Sequence, residues 1–224
     1  MNLEKGYNKD RGVMVEKAAL EMMYNPEVKL GLADLDKFEG EMLLSDQRKI
    51  DILGCVIGVK PAAIAKGWLE TKDLGSDRSL GKEVELGEII TRLGLRWSME
   101  IRPVESKLEV DLFVARDKET LEQLKAANRQ SPKELRKLAK LQGYPEAGAE
   151  VMLGLKEGLS EAVRTDLTKE DMAYTSFFAP PILSREDYRR EVKDYSRILI
   201  SSSRVNLPKT YDKAMSRWDK IRNG

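Results

Sequence analysis

The stretch LRWSMEIRPVESKLEVDLFVA, residues 95–115, decides the fold class, because its apolar residues recur at every second position. In 95–102 the odd-numbered residues are apolar and the even-numbered ones are polar, whereas in 108–115 the apolar set begins on the even-numbered residues. An alternation of this kind is typical of β-strands that bury one face. Because residues 103–107 separate the two runs, the sequence predicts an antiparallel β-hairpin.

The faces of this hairpin differ in polarity. One strand carries Arg96 and Arg102 on its polar face, and the other carries Glu109 and Asp111, so cross-strand charge pairs are expected on a solvated side. A sheet of two strands is not stable alone. The apolar face is therefore expected to pack against helices.

The sequence around the hairpin has the 3.6-residue periodicity and the start and stop residues of helices. The predicted helices cover or begin at residues 11–24, 34–44, 46, 62–69, 85–93, 117, 132 (ended by Gly143), 145, 184 and 208. Pro61 opens the predicted helix at 62–69, since proline is tolerated at the first helical position. The predicted fold class is α+β, mainly helical, with one antiparallel β-hairpin at about residues 95–116.

A candidate lobe boundary lies at residues 71–82, where Asp73, Gly75, Ser76 and Gly81 give a turn-forming composition. This predicts an N-terminal helical lobe at 1–72 and a second lobe at 83–224 that contains the hairpin and the C-terminal helices. A chain of 224 residues also fits one compact domain, and that alternative stays open.

The composition excludes several classes of active site. The chain has no histidine and one cysteine, Cys55, which rules out an intrachain disulfide, His-based triads, haem ligated by histidine, and zinc or iron–sulfur sites built from His and Cys. Cys55 lies in the apolar run 52–59, where a thiol is usually a small buried hydrophobe. We therefore predict no cofactor and no metal, and a cytosolic binding or regulatory protein in preference to an enzyme.

The N-terminal segment and the longest apolar run bear on location. The first 20 residues mix acidic and basic side chains without the apolar core of a secretory signal, and 52–59 is far shorter than a membrane span. A cytoplasmic protein without membrane contact is expected. Its partners are predicted to be another protein or a second copy of the chain.

Nucleic acid is the alternative partner, because the charge is unevenly distributed. The whole chain carries a net charge of +1, but residues 185–224 hold 11 basic residues against 6 acidic ones. The candidate phosphate contacts are Arg189, Arg190, Lys193, Arg197 and Arg204, with Tyr211 or Trp218 as stacking partners. A helix-turn-helix over residues 46–69, with Lys60 and Lys66 near its second helix, is a further alternative.

A second alternative is an enzyme that uses carboxylates and a divalent metal. The clustered acidic candidates are Glu100, Glu109 and Asp111 on the hairpin. Such an enzyme requires these groups to converge in a cleft.

The segment ELRKLAKLQGYPEAGAEVMLG, residues 134–154, resembles a family of uncharacterised, mostly archaeal proteins in which a helix, a Gly-Tyr-Pro turn and a second helix follow one another. Gly143, Tyr144 and Pro145 match this turn and are binding-site candidates; residues 197–218 are loosely similar to a downstream segment of the family. The family has paired cysteines after the proline, whereas this chain has Ala147, Gly148 and Ala149. The resemblance implies a related fold and no particular activity.

Overall fold

Seven helices and three strands make up the part of the chain that the computed structural model describes, which is residues 24–39, 43–70, 77–105, 107–127, 132–144, 150 and 193–223. In chain order the elements are α1 Pro26–Lys37, α2 Asp46–Val56, β1 Ala62–Glu70, α3 Asp77–Arg92, β2 Arg96–Val104, β3 Lys107–Ala115, α4 Lys118–Ala127, α5 Pro132–Leu141, α6 Lys193–Asn206 and α7 Pro208–Asn223. The fold is mainly helical α+β, as predicted from the sequence.

The predicted hairpin is present as β2 and β3, which pair antiparallel from Val104 opposite Lys107 to Arg96 opposite Ala115. The sheet has a third strand, β1, which pairs antiparallel along the whole of β3. The helix predicted at 62–69 and the helix-turn-helix at 46–69 are therefore wrong. A short apolar run such as AAIA has no decisive periodicity, and here the open edge of β3 determines its conformation by pairing with it.

The strand order is β1-β3-β2, so β3 is the central strand. Since β1 and β2 each run antiparallel to β3, they are parallel to each other, and α3 connects them across the sheet. This is a split β-α-β arrangement followed by a return strand.

Both faces of the sheet are covered over part of their area. One face, which includes Leu112 and Val114, packs into the main core. On the other face, Phe113 and Ala115 of β3 join Ile64 in a second cluster with Leu121 and Leu124 of α4. The sequence predicts that the polar face of the hairpin is solvated, and this is wrong at the end that carries Phe113 and Ala115. It holds toward the turn, where Arg102 lies 3.2 Å from Glu109.

The main core lies between the sheet and helices α1, α2, α3, α6 and α7. It contains side chains from both predicted lobes, among them Leu35 and Ile50 from the first and Ile90, Leu112 and Leu199 from the second. The elements around it therefore share a single packing unit.

Three helix boundaries differ from the prediction. α1 begins at Pro26, before the start predicted at residue 34: Asn25 is the N-cap, and its Oδ1 accepts a hydrogen bond from the Glu27 N–H at 3.0 Å. α1 then ends at Lys37, inside the predicted 34–44 helix. α3 begins at Asp77, so the second half of the predicted 71–82 loop is helical. The sequence also predicts that Asn25 and Pro26 end a helix at 11–24, of which residues 11–23 lie outside the described ranges; Asn-Pro is compatible with either end of a helix.

Other predicted boundaries are confirmed: α2 starts at Asp46, α5 at Pro132 and α7 at Pro208. The turn after α5 contains Gly143, which has φ +73°, as its predicted role at a helix end requires. The helices predicted at 11–24 and from 145, and the first part of the helix predicted from 184, lie outside the described residues.

Candidate functional site

A single residue, Leu207, joins helices α6 and α7, and we call this junction the elbow. This side chain is fully buried, and its N–H donates to the Ser203 carbonyl at 2.8 Å. Pro208, at the first position of α7, fixes the backbone for the new helix and lacks an N–H that would need a partner. The elbow is thus determined by a buried leucine followed by proline.

The N–H groups at the start of α7 are satisfied by a side chain from α1. Asp36 accepts hydrogen bonds from the N–H groups of Lys209 at 3.1 Å and of Thr210 at 2.8 Å. A helix whose N-cap position holds leucine has no side-chain oxygen of its own for these donors. Asp36 therefore acts as the cap and holds the end of α1 against the elbow.

Two adjoining grooves surround the elbow and share Val205, which is 69% exposed. The first has a volume of about 810 Å³ and is lined by Arg197, Ile198, Ile200, Ser201, Arg204, Val205 and Tyr211. The second has a volume of about 430 Å³ and is lined by Lys29, Leu32, Ala33, Asp36, Lys37, Val205, Asn206, Pro208 and Lys209. We refer to the two together as the elbow surface.

The elbow surface is strongly cationic. Among its described lining side chains, five are basic, namely Lys29, Lys37, Arg197, Arg204 and Lys209, and one is acidic. That acid is Asp36, whose oxygens already accept backbone N–H groups. Because the chain as a whole is almost neutral, this excess is local and favours an anionic ligand.

The two arginines of the first groove, Arg197 and Arg204, are spread along helix α6. Arg197 and Arg204 are seven residues apart on α6, which places them on the same side of the helix about 10 Å apart along its axis. Ser201, between them, donates its hydroxyl to the Arg197 carbonyl at 2.8 Å and so lies against the helix backbone. The cationic groups therefore extend along the groove instead of converging on one point.

Of the predicted phosphate contacts, Arg197 and Arg204 lie on the elbow surface. Lys193 is the first residue of α6, and its side chain lies outside the described residues, as do Arg189, Arg190 and the side chain of Trp218. Tyr211, the other predicted stacking partner, lines the first groove.

Three basic residues of the elbow surface, Lys29, Lys37 and Lys209, are not predicted from the sequence. Lys29 and Lys37 belong to α1, and the Asp36 cap brings that helix to α7 across more than 170 residues of chain. The sequence contains one signal for this contact: the residue before Pro208 is a leucine, which cannot cap a helix. The first N–H groups of α7 therefore need a hydrogen-bond acceptor from another part of the chain.

Gly143 and Tyr144, the candidates from the Gly-Tyr-Pro turn, lie at a different place. A Cβ on Gly143 would lie 3.3 Å from Cγ of Lys60, and the Tyr144 ring centroid is 5.8 Å from the Lys60 Nζ. Lys60 is buried and ion-paired with Asp51. These two residues thus enclose a buried ion pair and do not line the elbow surface; Pro145 lies outside the described residues.

Two of the three acidic candidates on the hairpin, Glu109 and Asp111, are engaged by basic neighbours, whereas Glu100 is exposed. Asp111 is fully buried and ion-paired with Arg102, and Lys66 lies 3.7 Å from both Asp111 and Glu109. Among the residues with described positions, no three His, Cys, Asp or Glu side chains are grouped so that they could hold a metal ion.

Cys55 is fully buried in α2, as predicted, and burial raises the pKa of its thiol to about 12. Lys60 opposes this shift and Asp51 adds to it. The folded state therefore retains a proton that the unfolded state loses near its ordinary pKa of 9.0, so Cys55 contributes less stability as the pH rises from 9 toward 12.

We expect an aromatic disulfide reagent at pH 8 to modify Cys55 more than about tenfold more slowly in the native protein than in urea, because thiolate is scarce and access is blocked. Absorbance at the wavelength of the released thiolate measures this rate. Equal rates in the two conditions would show that the thiol is accessible in the folded protein.

No helix in the described ranges is both long and apolar enough to cross a membrane. The family resemblance carried by residues 134–154 remains a prediction. Comparison of the chain with protein-family models, with curated proteins and with solved structures finds no match.

Proposed function

We propose that this protein is a binding module and that its elbow surface contacts the phosphates of a single-stranded nucleic acid. One observation carries the proposal: five basic side chains from three helices line adjoining grooves, and the one acid among the described lining residues, Asp36, is occupied by backbone donors. A local excess of positive charge of this size attracts a polyanion such as a nucleic-acid backbone.

The extended arrangement favours a chain of phosphates over a single anion. A site for one phosphate directs several donors to one point, whereas Arg197 and Arg204 are separated along α6 and the three lysines line the second groove. Arginine binds a phosphate through two parallel N–H groups, and lysine contributes a point charge. Successive phosphates of one strand can therefore occupy successive parts of the surface.

The other lining groups support recognition that does not depend on base sequence. Tyr211 lines the same groove as both arginines, and Val205 provides exposed apolar area where a base can lie. Cationic grooves with aromatic or apolar platforms bind single strands with little sequence preference and strong salt dependence. We therefore assign the surface to single-stranded nucleic acid without a preferred sequence.

The test is a fluorescence-anisotropy titration of a labelled mixed-sequence single strand at about 50 and about 200 mM salt. The wild type should bind more weakly at the higher salt concentration. Replacing both Arg197 and Arg204 with alanine should weaken binding and reduce the slope of log K against log salt by about 1.4, since each phosphate contact contributes about 0.7 for a single strand.

The matched control is the double variant Lys118→Ala/Lys137→Ala. It removes the same charge from exposed positions on α4 and α5, which pack against the other face of the sheet. We expect its binding to stay close to that of the wild type. Equal losses in the two double variants, or no binding by the wild type at the lower salt concentration, would contradict the proposal.

A further inference from the structure

Strand β2 forms one edge of the sheet, and within the described part of the chain its outer side has no hydrogen-bonded neighbour. All nine of its residues are exposed or half-buried, including the large apolar side chains Trp97, Ile101 and Val104. Long edge strands with apolar side chains readily pair with another strand, and proteins usually protect them by short length, inward charges or bulges. β2 has two such devices, Pro103 and the charged side chains Arg96, Glu100 and Arg102 on one of its faces.

The hairpin geometry determines which backbone groups of β2 face outward. Val104 and Lys107 flank a two-residue turn, so they form the hydrogen-bonded pair that closes it. The N–H and C=O groups of successive residues point to opposite sides of a strand. Those of Met99 and Trp97 therefore point away from β3. Pro103 shares this outward direction, and because it has no N–H it prevents pairing at the turn end of the edge.

We propose that two copies of this chain pair through β2, antiparallel and centred on Ser98, to form one six-stranded sheet. In this register Trp97 lies opposite the partner's Met99, and both residues present outward backbone groups that complete the ladder. Arg96 lies opposite the partner's Glu100, and the two-fold symmetry creates this ion pair twice. Neither Arg96 nor Glu100 makes an ion pair within the described part of the chain.

The registers toward the turn are each less favourable. Centring the pair on Met99 places Arg96 opposite the partner's Arg102, and centring it on Glu100 places two carboxylates face to face. Centring it on Ile101 brings Pro103 opposite Met99, where the ladder needs an N–H that proline lacks. The Ser98 register combines opposite charges with a full set of backbone donors over 96–100.

Trp97 is already held in position for this contact. Its indole N–H donates to Thr91 Oγ1 at 3.1 Å, and its ring lies so close to Gly87 that a Cβ there would be 2.3 Å from Trp97 Cζ2. The ring is still 37% exposed, so a partner's Met99 can cover part of it. A side chain that is immobilised before association loses little entropy when the dimer forms.

Charge exchange tests the register. Arg96→Glu or Glu100→Arg alone places like charges opposite each other twice per dimer, and we expect each to raise the dimer dissociation constant at least about tenfold in sedimentation equilibrium. The double variant Arg96→Glu/Glu100→Arg should restore the wild-type value. Restoration cannot result from misfolding, and Lys107→Glu on β3 serves as the single-charge control that leaves association unchanged.

Cross-linking tests the centre of the pair. At the two-fold axis the two Ser98 residues form a non-hydrogen-bonded pair with Cα atoms about 4.5 Å apart, within the range of a disulfide. Ser98→Cys should therefore give a covalent dimer under mild oxidation, whereas Arg102→Cys should not. Native Cys55 is buried and does not compete. A wild type that sediments as a monomer up to about 100 μM, or a Ser98→Cys variant that stays monomeric, would overturn the proposal.

Discussion

Replacing Asp51 with leucine is expected to lower the free energy of unfolding by about 3–5 kcal/mol, because it removes the carboxylate that neutralises a buried ammonium group. Asp51 and Lys60 are ion-paired, and their side chains are 7% and 4% exposed. Water cannot replace the lost partner at such a depth, so the cost is the desolvation of Lys60 without full compensation.

The position of Lys60 is set by two glycines. A Cβ on Gly54 would lie 3.2 Å from Lys60 Cδ, and one on Gly143 would lie 3.3 Å from Lys60 Cγ. The backbone N–H of Lys60 donates to the Gly54 carbonyl at 2.9 Å, and the Tyr144 ring lies near the Lys60 ammonium group. The aliphatic part of the side chain therefore occupies a narrow passage that joins α2, β1 and the end of α5.

The two halves of the ion pair are not equivalent. Asp51 has a second basic partner, Arg48, at 3.1 Å, and that arginine is 33% exposed. Lys60→Met keeps the apolar stem in its passage and leaves Asp51 with Arg48, so its cost should be smaller than that of Asp51→Leu. The double variant Asp51→Leu/Lys60→Met removes both charges and should recover most of the lost stability.

Urea denaturation of the four proteins, followed by circular dichroism, measures these differences as shifts of the midpoint at constant slope. Arg48→Met is the control for loss of a partly exposed charge and should cost less than about 1 kcal/mol. If Asp51→Leu unfolded at the wild-type midpoint, the buried pair would contribute nothing to stability.

The hairpin could be predicted from the sequence because strict alternation over two adjacent runs does not fit a helix, whose apolar residues recur every three or four positions. β1 could not, since its apolar residues and preceding proline fit a helix start equally well; only the unpaired edge of β3, 40 residues later, decides between them. The solvated face predicted for Phe113 and Ala115 is wrong for a related reason. Alternation with acidic neighbours identifies two faces but does not reveal a second layer that covers one of them.

The candidate site was predictable in part. The basic C-terminal helices led to Arg197 and Arg204 because their charges are close in sequence. Lys29 and Lys37 belong to a helix far away in the chain, and their place on the elbow surface depends on one tertiary contact, the Asp36 cap.

The Gly-Tyr-Pro turn shows the same division between local and tertiary information. Its conformation was predictable, and Gly143 adopts it. The residues that Gly143 approaches, Lys60 and Pro61, carry no signal in the local sequence. A turn can therefore be located from its own residues, whereas the group that it covers cannot.

The second cluster provides the other large expected effect: Phe113→Ala should lower the free energy of unfolding by about 3–5 kcal/mol. Phe113 is fully buried between the sheet and the helix that supplies Leu121 and Leu124. Deleting the ring removes its transfer free energy and leaves a cavity that two helices and a central strand cannot fully close.

Trp68→Ala is the matched control, because Trp68 lies on the same face of the sheet, toward its opposite end, and is 41% exposed. Urea midpoints should place its cost well below that of Phe113→Ala, and Phe113→Leu should fall between them, since it retains most of the buried volume. Equal costs for the two aromatic deletions would contradict this difference in burial and would mean that the two ends of this face are covered to the same extent. If the loss in free energy of unfolding decreases in the order Phe113→Ala, Phe113→Leu, Trp68→Ala, then α4 and α5 cover one end of the sheet and leave the other end open. This asymmetry keeps the Arg102 side of the hairpin exposed to solvent.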